Sequence, residues 1–251
     1  MADKKAALVT GSGKRRVGRY VADALAGDGY ALVLHYHTSA ADANQAVEEF
    51  RARGVDAIAL GADLADERAA RGLVEAAIGH FGRLDVLVNC AAVWQARRLE
   101  EVTAADLRRN FEVNLLSTFV CAQQAGLAML SQPEGGNIIN LGDWAEARPY
   151  LDYAAYFAVK AAIPGLTRCL AVELGTRNPR VRVNCILPGP VLFLPELPEA
   201  ERQQAVRATL VQQAGRPENV AQAVLCLIHN DFITGASLVV DGGRTVYAGG
   251  T

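Results

Sequence analysis

The sequence predicts an α/β fold: a doubly wound, seven-stranded parallel sheet with helices on both faces, in one domain over 1–251. Three observations predict it. Strand-length apolar runs alternate with helical-period segments from end to end. The strand cores are largely uncharged, as in sheets buried on both faces. A glycine-rich turn, Thr10–Gly18, joins the first strand to the first helix.

The elements follow in order. Ala6–Thr10 reads as the first strand and about Val17–Gly27 as the first helix. Ala31–His35 is the second strand. Ser39 and Asp42 are spaced as a capping box with Asp in the acidic slot, opening a helix to about Arg53. Ala57–Gly61 is the third strand, Asp66–Phe81 the next helix, and Leu84–Asn89 the fourth strand. Thr103 is placed to cap one long helix reaching about Leu130. Asn137–Leu141 is the fifth strand, entered through Gly135-Gly136. A helix carrying Tyr156 then runs to about Gly175, with Pro164 inside it. That proline removes the bond to the Lys160 carbonyl, so a kink or local loosening is expected there, absorbed by Gly165 and packing. Arg180–Ile186 and Ser237–Asp241 are the last two strands. Between them, Leu187–Pro198 carries four prolines and reads as a loop. It follows the C-terminal end of a strand, where ligands bind in such sheets. We take about 187–212 as a substrate loop, with Leu192, Phe193 and Leu194 as wall candidates and helices near Glu199–Ala208 and Pro217–His229.

Composition excludes several classes. Net charge is −2, so no basic field draws nucleic acid or an anionic membrane. The start, MADKKAALVT, enters a strand directly without a signal-peptide core, and no apolar run approaches the length of a membrane span. Five cysteines are widely spaced, four of them in apolar stretches, and read as buried, reduced thiols of a cytoplasmic protein. The four histidines form no metal-spaced set, so no metal site is expected.

The chemistry concentrates in Leu141–Lys160. Tyr156 and Lys160 lie one helical turn apart on one face. An ammonium there favours the phenolate and lowers the tyrosine pKa, giving a proton donor or acceptor near neutral pH. Asp143 stands thirteen residues before Tyr156, at the end of the fifth strand. It reads as a member of the same site, or as a helix cap or ion-pair partner of Arg148. In the glycine turn, Lys14, Arg15 and Arg16 sit where a pyrophosphate meets the helix N-terminus. The end of the second strand reads His35-Tyr36-His37-Thr38-Ser39 and has no acid for a ribose diol. That favours NADP over NAD. Asp63, after the third strand, is placed to accept from an adenine amino group or to cap the helix that follows.

The glycine turn, Asp63, Asn89-Cys90-Ala91-Ala92, Asn114, Tyr156-x-x-x-Lys160, Pro188-Gly189 and Asp241-Gly242-Gly243 occur in the order seen in short-chain dehydrogenases/reductases, and the chain resembles that family over nearly its whole length. The resemblance implies a Rossmann-type NAD(P) oxidoreductase with Tyr156 as the acid/base. It implies that Lys160 binds the nicotinamide ribose and depresses the Tyr156 pKa, and that Asn114 holds a water in the proton relay. It places cofactor contacts on Gly11, Lys14, Arg15, Arg16, Val17, Gly18, His35, Tyr36, His37, Thr38, Ser39, Asp63, Leu64, Asn89, Ala91, Tyr156, Lys160, Pro188 and Gly189. It also implies a homotetramer. Asp143 in place of the usual serine, Trp94 after the fourth strand, the H-Y-H-x-S stretch, Gly243-Arg244 and the PGPVLFLP loop resemble the pteridine reductase branch, which includes dihydromonapterin reductases.

The expectation is NADPH-dependent reduction of a pterin, with Arg16, Trp94, Asp143, Tyr156, Leu192 and Phe193 at the substrate. An aspartate beside Tyr156 disfavours the phenolate, which suits proton donation to a ring C=N. The alternative is reduction of another carbonyl, such as a 3-oxoacyl or sugar ketone. A non-catalytic nucleotide sensor has no need of Asn114, Tyr156 and Lys160 together.

Overall fold

The computed structural model describes residues 4–193 and 197–247. In chain order the elements are β1 (Ala6–Val9), α1 (Val17–Gly27), β2 (Ala31–Tyr36), α2 (Ala40–Ala52), β3 (Ala57–Gly61), α3 (Glu67–Phe81), β4 (Val86–Asn89), α4 (Ala104–Asn110), α5 (Ser117–Met129), β5 (Gly136–Leu141), α6 (Ala154–Lys160), α7 (Ile163–Gly175), β6 (Val181–Pro188), α8 (Glu199–Arg207), α9 (Pro217–His229) and β7 (Ser237–Val240). The seven strands are all parallel, in the order β3-β2-β1-β4-β5-β6-β7. The order reverses between β1 and β4, and a ligand crevice forms at such a switch point, beyond the C-terminal strand ends.

Alternation along the strands builds two apolar layers. Ala7 and Val9 of β1, Leu32 and Leu34 of β2, and Val86 and Val88 of β4 face α1, α2 and α9. Leu8, Val33 and Leu87 face α3, α5 and α7. Leu8, Leu32, Leu34 and Leu87 are fully buried. Each such leucine contributes on the order of 1.5–3 kcal/mol by leaving water. Truncation to Ala costs about 2–5 kcal/mol, because the cavity adds to the lost transfer energy.

Three sequence expectations change. The helix from Thr103 is not uniformly α: Phe111–Leu116 is a π-helical segment between α4 and α5, and it contains Asn114. Its start is as expected, with a reciprocal Thr103–Asp106 capping box. The loosening expected at Pro164 is present, but as a division of the Tyr156 helix at Ala161–Ala162 into α6 and α7, with Pro164 in the first turn of α7, where a missing N–H is cheapest. Ser39 precedes α2 but makes no side-chain cap, so the expected capping box is absent.

Two further readings are corrected. Cys169 and Cys226 are exposed on the chain surface, while Cys121 and Cys185 are buried; all five cysteines are unpaired. Burial pushes the Cys90 and Cys121 thiols up to about 12. The stretch Ala154–Gly175 is long and apolar enough to cross a membrane, with a mean hydropathy of 1.2. Half of that stretch is buried inside the protein, and α7 packs on β5 and β6, as a core helix does.

Candidate active site

The glycine turn is built by backbone geometry. Gly11 has φ +66°, and a Cβ there would lie 2.9 Å from the Ala91 Cα. Any side chain meets both strain and collision at this position. Thr10 Oγ1 accepts from the N–H groups of Cys90 and Ala91 at 2.9 and 3.0 Å, tying the turn to the end of β4. Arg16 heads α1 without a side-chain cap, and the first-turn N–H groups of Val17 and Gly18 meet no acceptor among the described residues. Such a cradle at a helix N-terminus, with exposed Lys14, Arg15 and Arg16 beside it, fits a pyrophosphate. The Arg15 guanidinium lies over the Tyr20 ring at 5.0 Å, which leaves Lys14 and Arg16 as the uncommitted cations.

Below the turn, His35 is spent inside the protein. Its Nδ1 accepts from the Gly11 N–H at 3.0 Å, so Nε2 carries the proton and donates to the Ala62 carbonyl at 3.0 Å. Burial lowers its pKa and keeps the ring neutral. His35 is therefore a support of the glycine turn and is not presented to a ligand. The Tyr36 ring packs against Gly61, while His37 and Thr38 are exposed. Asp63 Oδ1 caps its own turn by accepting from Ala65 N, and Oδ2 lies 3.8 Å from His37 Nε2. Leu64 is buried in the layer under α3. Asn89 also turns inward: its amide donates to Asn140 Oδ1 at 3.0 Å, and Asn140 donates to Thr167 Oγ1 at 3.0 Å. Ala91 lines the cradle. Pro188 ends β6, and the Gly189 N–H donates to the Val240 carbonyl at 2.9 Å.

Tyr156, Asp143 and Lys160 do come together. The Tyr156 hydroxyl donates to Asp143 Oδ2 at 3.0 Å. Asp143 Oδ1 accepts from Ala145 N at 2.9 Å, so Asp143 is both a turn cap and a partner of Tyr156. Arg148 is not its partner and donates to the carbonyls of Arg244 and Tyr247. Lys160 is 4% exposed, and its Nζ donates to the Leu141 carbonyl at 2.7 Å. Its ammonium lies 5.9 Å from the Tyr156 ring centre.

Of the two opposed influences expected on the tyrosine, Lys160 favouring the phenolate and Asp143 disfavouring it, the second prevails, together with burial. Burial, followed by the Asp143 charge and hydrogen bond, raises the Tyr156 pKa well above that of an ordinary phenol. Burial also raises Asp143, against the Ala145 N–H, the Tyr156 hydroxyl and Lys160, and it lowers Lys160 against the attraction of Asp143. The site is a phenol that holds its proton, next to a carboxylate and a dry ammonium.

Asn114 is fully buried and anchors the loop after β4. Its Oδ1 accepts from Val93 N at 2.8 Å, and its Nδ2 donates to the Val93 carbonyl and to Asn110 Oδ1. The Asn114 carbonyl accepts from Thr118 Oγ1 at 2.9 Å. A π-helical segment misaligns carbonyls from the helix ladder, and such segments recur at functional sites.

Trp94 is 44% exposed, with one face stacked on Tyr153 at 5.1 Å and 9°. Tyr150 and Phe157 extend this aromatic wall toward Tyr156. Leu192 is exposed. Phe193 lines a cavity of about 380 Å³ with Arg202, Gln203, Val206 and Arg207 of α8, and Tyr156 does not reach that cavity. Leu194 lies outside the described residues. Arg16 stands at the cofactor cradle, with no contact to Tyr156 or Asp143. Sequence reasoning missed Thr10, Asn110 and the Tyr150–Tyr153 wall. Only the threonine-glycine pair at the turn carried a signal for any of them. Among the described residues no His, Cys, Asp and Glu group is arranged to hold a metal.

A glycine cradle and a proton-holding phenol, both at the C-terminal edge of a doubly wound sheet, are parts that a nicotinamide-dependent oxidoreductase needs. A family model described as enoyl-(acyl carrier protein) reductase matches residues 12–245. The chain is 38% identical over 246 residues to an uncharacterized oxidoreductase of Methylorubrum extorquens, covering 95% of this chain and 97% of the relative. It is 33% identical over 243 residues to the 3-oxoacyl-[acyl-carrier-protein] reductase FabG of Staphylococcus aureus, covering 95% and 97%. A blue fluorescent protein from a metagenomic library, solved in complex with NADPH, superposes with a TM-score of 0.87 at 37% identity, covering 96% and 97%. The chain belongs to the short-chain dehydrogenase/reductase family.

Proposed function

We propose that the protein is an NADPH-dependent reductase of a carbonyl compound, with Tyr156 as the proton donor. The Tyr156–Asp143 hydrogen bond carries this reading. Oxidising an alcohol requires a phenolate to take its proton, and burial beside Asp143 makes the phenolate costly. A phenol that keeps its proton serves the opposite direction, donating to the oxygen of a carbonyl as it is reduced. Relatives that include a 3-oxoacyl reductase support a ketone over a heterocycle.

The Gly11 cradle, the α1 N-terminus and Lys14 or Arg16 hold the pyrophosphate, with Ala91 and Gly189 bordering the crevice. When bound there, the reduced nicotinamide supplies a hydride. Lys160 keeps two N–H groups beyond its bond to the Leu141 carbonyl, and these would hold the nicotinamide ribose. Asp143 holds the Tyr156 hydroxyl in place, and Asn114 with the π-helical segment holds the water through which Tyr156 regains its proton. The end of β2 has no acid to repel a 2′-phosphate, which supports NADPH over NADH.

A second reading is reduction of a pterin, favoured by Asp143 where the family more often has serine. The free face of Trp94 would stack the ring. Loss of NADPH absorbance, followed over 3-oxoacyl thioesters, sugar ketones and dihydropterins, tests both readings. Turnover of ketones without turnover of dihydropterins leaves the carbonyl reading, and the reverse leaves the pterin reading. Trp94→Ala separates them again, because it raises the pterin KM strongly and matters less for a small ketone. A homotetramer in the cytoplasm completes the proposal. Exposed apolar Leu107, Phe111 and Leu127 on the helices flanking and including the π-helical segment support assembly, which sedimentation tests.

A further inference from the structure

Trp144, Tyr156 and Phe157 are buried in one cluster, with Tyr153 packed against them. A cation covers one ring of that cluster. The Arg244 guanidinium lies over the Trp144 ring at 4.7 Å, and Trp144 directly follows Asp143. Arg244 Nη1 donates to the Ala205 carbonyl of α8 at 3.0 Å, so Arg244 sits where the aromatic wall meets the helix that follows the substrate loop. Tyr150 stacks 6.3 Å from Trp144 and meets Phe157 edge-on at 4.7 Å. Burial raises the Tyr150 pKa, followed by the charge of Asp143, and Arg244 acts against both, so Tyr150 is within reach of the acid beside Tyr156 and of the guanidinium.

That guanidinium has no carboxylate. Arg244 is half-buried, and the other N–H groups of its fork meet no acceptor among the described residues. Arg148 donates to the carbonyls of Arg244 and Tyr247, which brings a second guanidinium beside the first. Asp241, in the same turn, is committed to the N–H groups of Gly243 and Thr245. Burial lowers the Arg244 pKa, against Tyr150, and the like charge of Arg148 lowers it further. Two neighbouring guanidinium groups, one of them half-buried, are costly to hold together unless an anion joins them. Stacking on Trp144 fixes the plane of the Arg244 fork and leaves its edge free, the geometry that takes a carboxylate in two parallel bonds.

We propose that Arg244, assisted by Arg148, binds a carboxylate of the substrate, so that the compound reduced at Tyr156 is an oxo acid. This rests on the carbonyl reading above and names its substrate class. The carbonyl meets Tyr156, the carboxylate meets Arg244, and the carbon chain between them lies along the aromatic wall.

The test follows loss of NADPH absorbance by the full chain over acetoacetate, levulinate and benzoylacetate, each against its methyl ester. The acid is expected to exceed its ester roughly tenfold in kcat/KM, mainly through KM, the size of one charge-assisted hydrogen bond. Added salt narrows that ratio. Arg244→Gln abolishes the ratio, whereas a merely structural loss at α8 lowers acid and ester alike and leaves it unchanged. Arg244→Lys keeps part of it, since the charge stays and the fork is lost. Arg148→Gln, an exposed position, gives a smaller fall in the same ratio and carries the test if Arg244→Gln does not fold. Equal turnover of acid and ester, or an acid preference that survives these substitutions, overturns the proposal and leaves the carbonyl reading. Turnover of thioesters or sugar ketones with none of any oxo acid does the same. No turnover of any carbonyl compound removes the carbonyl reading and the proposal with it.

Discussion

The two ends of the crevice are built from different materials. The β1–β3 side is made of backbone: a positive-φ glycine, free helix N–H groups, and a buried histidine holding the turn from below. The β5–β6 side is made of side chains from distant segments: Asp143 after β5, Tyr156 and Lys160 on α6, and Asn114 on the π-helical segment. Backbone cradles tolerate exposed, variable side chains and fail when the main chain is disturbed. Side-chain sites depend on burial and on neighbouring charges, and fail when one group changes.

The strongest way to break that contrast is Tyr156→Phe. The ring and its packing remain while the proton is lost. Turnover should fall about 10²–10⁴-fold with little change in cofactor affinity, read by steady-state kinetics and calorimetry. Gly11→Val is the converse. Strain at φ +66° costs on the order of 1–3 kcal/mol, and the collision with Ala91 adds to it. Binding of NADPH and NADH should weaken together and the melting temperature should drop, with Tyr156 untouched; calorimetry and thermal melts read both. Thr38→Asp is a smaller change on the same side. It adds an anion where the proposed reading places the 2′-phosphate, and NADH should become the tighter ligand without a change in melting temperature.

The smallest effect concerns stability on the side-chain end. The Asp143 pKa is raised in the fold, chiefly by burial, so the native state binds its proton more readily than the unfolded chain does. Its contribution to stability is therefore present at low pH and lost as pH rises through the raised value. Asp143→Asn should lift the melting temperature by about 2–4 °C at pH ~8, and the gain should vanish below the ordinary carboxylate range. Activity should fall in the same variant. No gain at high pH would mean that the Tyr156 and Ala145 hydrogen bonds offset the burial.

Local patterns made most of the fold legible. Strand-length apolar runs, the Thr103 cap and the helix over Pro217–His229 are present as read, because each is decided by residues near one another in the chain. The gathering of Tyr156, Lys160 and Asp143 was legible too, from a one-turn spacing and a strand end. The π-helical segment around Asn114 was not, since no residue in FEVNLL breaks an α-helix by itself. Its backbone is set by the buried anchorage of Asn114 to Val93.

By itself, then, the sequence determined the alternating layers, the glycine turn and the one-turn pairing of Tyr156 with Lys160, which rest on periodicity and on residue chemistry. Tertiary structure decided which of two opposed influences on Tyr156 prevails. Lys160, four residues away in the chain, is held by the Leu141 carbonyl, while burial and Asp143 act directly on the phenol. It also decided that His35 supports the turn and that His37 faces outward. A side chain's charge and availability depend on what surrounds it, and most of those neighbours come from other parts of the chain.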